Sequence, residues 1–143
     1  MKRDYFRLNA DGGIVGEPGQ PAGEASIGVV LKNPDGSSLH EISVRIGWQR
    51  DHHVAEYRAL IAGLRLARGH GIDHLRVFLD SAVVVNHVNL KSRTKQDYID
   101  HLTEALALKR EFADIEILHV PRKQNKEAHE LADRLLRSLR SKR

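Results

Sequence analysis

From Val54 the chain reads Val54-Ala55-Glu56-Tyr57-Arg58-Ala59-Leu60-Ile61, reaches Gly69-His70-Gly71, and then runs Leu75-Arg76-Val77-Phe78-Leu79-Asp80-Ser81. The first part has the period of a helix, with Tyr57, Leu60, Ile61, Leu64 and Ala67 on one face. Gly69 and Gly71 end it. In the second part Leu75, Val77 and Leu79 alternate as the buried face of a strand. A helix leading directly into an apolar strand is the pattern of an α/β chain.

Upstream the period is two. Tyr5 to Ala10 reads as a strand ending at Asp11, and Gly12 to Gly23, with Pro18 and Pro21, as a turn-rich connection. Ala25–Leu31 and Leu39–Ile46 read as two further strands joined by the turn Asn33-Pro34-Asp35-Gly36, so the first three strands form an antiparallel meander. Downstream, Ser81 caps a short helix through Val88, although Val83-Val84-Val85 taken alone favours a strand. Tyr98–Phe112 is a second amphipathic helix and Ile115–Val120 a fifth strand. In the last helix Ala128, Leu131, Ala132, Leu135, Leu136 and Leu139 keep helical spacing. The order βββαβααβα predicts an α/β fold: a mixed five-stranded sheet flanked by helices.

A chain of 143 residues, 41% hydrophobic and 29% charged, fits one soluble domain spanning 1–143. No apolar run approaches the roughly 20 residues of a membrane helix, and Met1-Lys2-Arg3-Asp4-Tyr5 leads into strand-like sequence without a signal-peptide core. The expectation is a cytoplasmic protein without membrane association. The absence of cysteine excludes disulfides and thiolate zinc sites. A net charge of +4 and a pI near 9.6 are compatible with a polyanionic partner. Arg134, Arg137, Arg140, Lys142 and Arg143 crowd the C-terminus, where 137–143 reads as a basic tail open to fraying.

Three acids stand out. Asp11 opens Asp11-Gly12-Gly13, Glu56 lies at the head of the apolar helix, and Asp80 closes an apolar strand before Ser81. Each alone has an ordinary explanation: a turn residue, a partner for the helix dipole, a neighbour of a capping serine. Together, a carboxylate at one strand's end, one at a helix start and one at a second strand's end can converge on one spot, and a site of oxygen ligands suits a hard cation such as Mg²⁺ or Mn²⁺. A fourth element follows as Arg122-x-x-Asn125-x-x-x-His129-x-Leu131-Ala132-Asp133.

In this order these residues resemble the ribonuclease H type 1 family, from about Tyr5 to Leu136. The resemblance implies a ribonuclease H-like fold and hydrolysis of the RNA strand of RNA–DNA hybrids by two metal ions about 3.5–4 Å apart. It makes Asp11, Glu56, Asp80 and His129 the catalytic and metal-ligating residues, with Asp11 bridging both ions and Glu56 near the 2′-hydroxyl that separates RNA from DNA. Gly12, Gly13, His52, Arg122 and Asn125 are the expected substrate-binding residues. The chain is expected to act as a monomer without an obligate protein partner.

The chain also departs from the family. His129 stands where the fourth metal position is usually an aspartate; a neutral nitrogen ligand tilts preference toward Mn²⁺. Only Pro121-Arg122-Lys123-Gln124 precedes Asn125, without a loop histidine, and His119 reads as structural. Asp51-His52-His53 replaces the usual Thr-Asn-Asn, and adjacent histidines at a helix start are expected to point apart. Ala82 follows Ser81 where a polar side chain sometimes meets a base. The basic protrusion of some members is reduced to Lys91-Ser92-Arg93-Thr94-Lys95. Two alternatives stay open: a catalytically weakened hybrid-binding module of the same fold, and a related nuclease acting on another nucleic acid.

Overall fold

The computed structural model describes residues 4–141; the expectations for Met1, Lys2 and Arg3 and for Lys142 and Arg143 lie outside them. Strands β1 (Phe6–Val15), β2 (Gly23–Lys32) and β3 (Ser38–Gln49) form the expected antiparallel meander. Helix α1 (His52–Gly69) leads to β4 (His74–Leu79), which lies parallel to β1. Then follow α2 (Ala82–Val88), α3 (Ile99–Lys109), β5 (Asp114–His119) parallel to β4, α4 (Lys126–Asp133) and α5 (Arg137–Ser141). The spatial order is β3-β2-β1-β4-β5, the mixed five-stranded sheet that the sequence predicts.

Local chemistry explains the boundaries. In the β2–β3 turn Gly36 has φ +92°, and its N–H donates to the Asn33 carbonyl at 2.9 Å. Asp51 caps α1 by accepting from the Val54 N–H at 3.0 Å. The Ser81 hydroxyl accepts from the Val84 N–H at 3.3 Å, and this cap starts a helix despite the strand preference of three consecutive valines.

The helices lie on both faces of the sheet. On one face α1 buries Tyr57, Leu60 and Leu64 against Leu8 of β1, with Leu75 and Val77 of β4 in the same core. On the other face α4 crosses β1, β2 and β3 and buries Ala128, Leu131 and Ala132. That helix sits close to the backbone beneath it. A Cβ on Gly28 would lie 2.1 Å from the Ala128 carbonyl oxygen, so only glycine admits α4 at this depth.

Two expectations are corrected. Asp11 does not end a strand: β1 runs on to Val15, and Gly12 and Gly13 pair in register with Ile27 and Ser26 of β2. The Asp-Gly-Gly run is extended because glycine is needed there for close packing rather than for a turn. A Cβ on Gly12 would meet the Ala55 carbonyl carbon of α1 at 2.4 Å. Second, the last helix is not continuous. It stops at Asp133, turns through residues 134–136 and resumes as α5, although the interval holds neither glycine nor proline. The turn seats buried Leu136 against Gly13. The stretch expected to fray is therefore helical from Arg137 to Ser141, with Arg137 paired to Glu130 and Asp133, and Arg140 to Asp133.

Candidate metal centre

Each acid reaches the site from a different element. Asp11 stands mid-strand in β1 on the face that α4 crosses, directly across the ladder from Gly28. Glu56 is one turn into α1, brought against β1 by the backbone contact at Gly12. Asp80 follows the last residue of β4, the central parallel strand. One carboxylate oxygen from each comes together so that all three lie within 4.8 Å of one another. Asp11 and Glu56 are 4% and 8% exposed, so these charges have little water to separate them.

Such crowding is unfavourable without a cation. Burial, and then the neighbouring Asp80 carboxylate, push the Asp11 carboxyl up to about 6, against a lowering hydrogen bond from His129. Burial likewise raises Glu56, opposed by His52, His53 and Ser81. Carboxylates held close at such a cost mark a place where a positive charge belongs. Their hard oxygen donors fit Mg²⁺ or Mn²⁺.

The remaining expected residues surround this cluster. His129, one turn into α4, places Nδ1 2.9 Å from Asp11 Oδ2, so it adjoins the three acids through Asp11. Asn125 is fully buried; its amide donates to the Ala10 carbonyl at 3.0 Å and to Asp80 Oδ1 at 3.4 Å, which fixes it as a support for Asp80. Arg122 is exposed, with Nε 3.7 Å from Asp80 Oδ2. Gly12, Gly13, His52, Arg122 and His129 all line a cleft of about 550 Å³ that opens over Asp11.

The adjacent histidines do not point apart. His52 Nε2 donates to the Gly12 carbonyl at 2.8 Å, and its Nδ1 lies 3.8 Å from Glu56 Oε1. His53 Nδ1 comes within 3.1 Å of the same oxygen. Their rings stack at 20° because residues i+3 and i+4 share a helix face, and Glu56 is both to this pair. Three supporting residues escaped the sequence reading in this role. His53 was assigned no contact with Glu56. Ser81, read only as a cap, also hydrogen-bonds Glu56. Asn9 donates to Asn125 Oδ1 at 2.9 Å. His53 alone carried a local signal, its i,i+3 spacing from Glu56; Asn9 and Asn125 are 116 positions apart.

Among the described residues no helix is long and apolar enough to cross a membrane. Residues 9–135 match the family described as reverse transcriptase-like. The bifunctional protein Rv2228c of Mycobacterium tuberculosis is 36% identical over 127 residues, covering 88% of this chain and 34% of that protein. The chain thus spans about a third of the mycobacterial relative's length. Ribonuclease HI of Halobacterium salinarum is 35% identical over 88% of the chain and 61% of that protein. The solved N-terminal RNase H domain of Rv2228c superposes with TM-score 0.83 at 35% identity, covering 91% of this chain and 97% of that one. The RNase H1 structure of the halophilic archaeon Halobacterium salinarum gives TM-score 0.84 at 32% identity, covering 94% and 98%. LC11-RNase H1, solved in complex with an RNA/DNA hybrid, gives 0.80 at 30%, covering 90% and 94%. Fold, acid cluster and these likenesses agree: the chain belongs to the reverse transcriptase-like family and, within it, to the type 1 ribonucleases H.

Proposed function

We propose that this chain is an endoribonuclease that hydrolyses the RNA strand of RNA–DNA hybrids, using two divalent cations held by Asp11, Glu56, Asp80 and His129. The observation that carries this reading is the meeting of three carboxylate oxygens within 4.8 Å of one another, beside an open cleft that Asp11 lines. The likeness to an RNase H1 solved with a hybrid supports the choice of substrate. When bound, the cations supply Lewis acidity toward the attacking water and offset charge on the scissile phosphate.

The protein's own groups do the positioning. Asp11, which lines the cleft and meets both other acids, would hold both cations. Asn125 holds Asp80 in place, while His53 and Ser81 hold Glu56. Glu56 lies beside the 2′-hydroxyl, which distinguishes the RNA strand. Arg122, exposed at the rim, contacts phosphate, and the backbone at Gly12 and Gly13 allows the strand close approach. His52, with its Nε2–H committed to the Gly12 carbonyl, lines the cleft and lies beside Glu56. The setting is cytoplasmic and the working unit a monomer.

A hybrid-binding module with weakened catalysis is the competing reading. In its favour, His129 Nδ1 is already engaged with Asp11. Incubating a labelled hybrid with the purified protein in Mg²⁺, in Mn²⁺ and in EDTA separates the two. Metal-dependent cleavage of the RNA strand is expected, with duplex DNA, duplex RNA and single-stranded RNA nearly untouched. Binding without cleavage in either ion refutes the nuclease reading.

A further inference from the structure

Behind the metal centre lies a second concavity, of about 350 Å³, that shares no lining residue with the cleft. Arg7, Asn9 and Asp11 occupy alternate positions of β1 and so project to one face of the sheet. Asp11 serves the cleft, whereas Arg7 and Asn9 line this cavity. Helix α4 covers β1, β2 and β3 but leaves β4 open on this face, and Phe78 of β4 forms the apolar wall.

The lining is strongly basic. Arg7, Lys32, Lys123 and Lys126 oppose a single carboxylate, Glu127; four cations against one anion leave three net positive charges. Lys32 neutralises Glu127 directly. Arg7, Lys123 and Lys126 have no ion-pair partner among the described residues. Unpaired cations gathered in a concavity raise the local concentration of anions. Lys126 and Glu127 belong to the first turn of α4, which the Asn125 side chain does not cap, so the positive end of that helix faces the same region. The Arg7 guanidinium lies over the Phe78 ring, 5.9 Å from its centroid, so the cation and the aromatic ring form one wall.

The cavity and the cleft are also mechanically joined. Asn9 at the cavity donates to Asn125, which donates to Asp80 at the metal centre. The turn Arg122–Gln124 divides its cations: Arg122 lines the cleft, while Lys123 lines the cavity. A strand that passes Arg122 on leaving the cleft therefore meets Lys123 next. A space of this size admits a phosphate with its sugar but not a duplex.

We propose that this cavity is a second phosphate-binding site, distinct from the metal centre, which holds a backbone phosphate of a single strand continuing out of the cleft. Lys123, Lys126 and Arg7 neutralise the phosphate, with Arg7 held over the Phe78 ring. The choice of a nucleic-acid strand as the source rests on the nuclease reading; the anion site itself does not.

The test is an NMR titration of the full chain in EDTA, where no cleavage occurs, with inorganic phosphate and separately with a short single-stranded RNA. Signals of the Asn9 side-chain amide and the Phe78 ring are expected to shift with RNA. Binding should weaken about tenfold or more in Lys123→Glu/Lys126→Glu. A control with the same charge change on the opposite face, Arg65→Glu/Arg110→Glu, should weaken it far less. Silence at Asn9 and Phe78 with both ligands, or equal weakening in the control, overturns the site. A response to inorganic phosphate but not to RNA keeps the anion site and overturns the strand as its source. In parallel, cleavage of a blunt hybrid in Mn²⁺ should stay within about twofold of wild type in the control variant Arg65→Glu/Arg110→Glu, as expected of exposed substitutions away from the site. Failure of wild-type cleavage with the titration intact would sink the nuclease reading alone.

Discussion

Gly28 stands directly across the β1–β2 ladder from Asp11, and the absence of a side chain there sets the distance of His129 from the acids. A Cβ on Gly28 would lie 2.1 Å from the Ala128 carbonyl oxygen and 2.6 Å from the Ala132 N–H nitrogen, both backbone atoms of the helix carrying His129. Gly28→Ala must therefore lift α4 from the sheet. We expect a loss of about 1–3 kcal/mol from overpacking, read by urea unfolding, together with reduced activity. Wild-type stability and turnover in this variant would show that α4 does not depend on close approach at Gly28.

Asp11→Asn is expected to abolish cleavage and to stabilise the metal-free protein. Burial and the neighbouring Asp80 push the Asp11 carboxyl up to about 6, above its ordinary 3.8. The penalty for its charge is thus fully present above pH 6 and disappears as pH falls toward 3.8. In EDTA, wild-type protein should gain stability relative to Asp11→Asn as pH drops from 7.5 to 5. A gap of about two pKa units sets a ceiling near 3 kcal/mol at neutral pH. Thermal melts of both proteins across that range check this, and parallel pH profiles would remove the claim that Asp11 carries the strain. The same protonation should weaken Mn²⁺ binding below about pH 6, since a carboxylate ligand must be charged.

Ser81 holds two structures at once: its oxygen accepts from the Val84 N–H, and its hydroxyl reaches Glu56. Ser81→Ala should cost about 1 kcal/mol as a lost helix cap. It should also lower kcat, because Glu56 keeps only its histidine contacts. Ser81→Thr preserves both bonds and should recover most of the loss. A cap-only role predicts lower stability with unchanged kcat, which steady-state kinetics at a temperature well below the melt would reveal.

Much of this architecture is legible in the sequence because it is written locally. The apolar periods of α1 and β4, the Asn33–Gly36 turn and the Ser81 cap each depend on neighbours in the chain. Asp11, Glu56 and Asp80 are legible as a set because each sits beside such a local signal. Gly12 and Gly13 are misleading for the opposite reason. Asp-Gly has the same composition in a turn and in a strand, and what decides here is α1, more than forty residues away, pressing its backbone on Gly12. The break after Asp133 is equally non-local, since no residue in it forbids a helix and the docking of Leu136 against Gly13 determines the path. Asn125 announces its motif, but its partner Asn9 is invisible until the fold joins α4 to β1.

His129 offers the most discriminating prediction, because here the chain leaves its family's pattern. In the metal-free protein it donates from Nδ1 to Asp11 Oδ2, an arrangement that lowers the cost of Asp11's charge. His129→Ala removes this donor and the proposed ligand, so activity should fall about 10- to 100-fold without unfolding, because Ala128, Leu131 and Ala132 carry the buried face of α4. His129→Asp acts differently in the two states. Without metal, a fourth carboxylate beside Asp11 should lower the melting temperature in EDTA. With metal, an additional oxygen ligand should restore stability and shift the preference from Mn²⁺ toward Mg²⁺. Melts in EDTA, Mg²⁺ and Mn²⁺, combined with cleavage rates in each ion, read both effects. Full activity of His129→Ala in both ions, with an unchanged metal preference in His129→Asp, would make His129 a surface partner of Asp11 and leave the cations to the three acids.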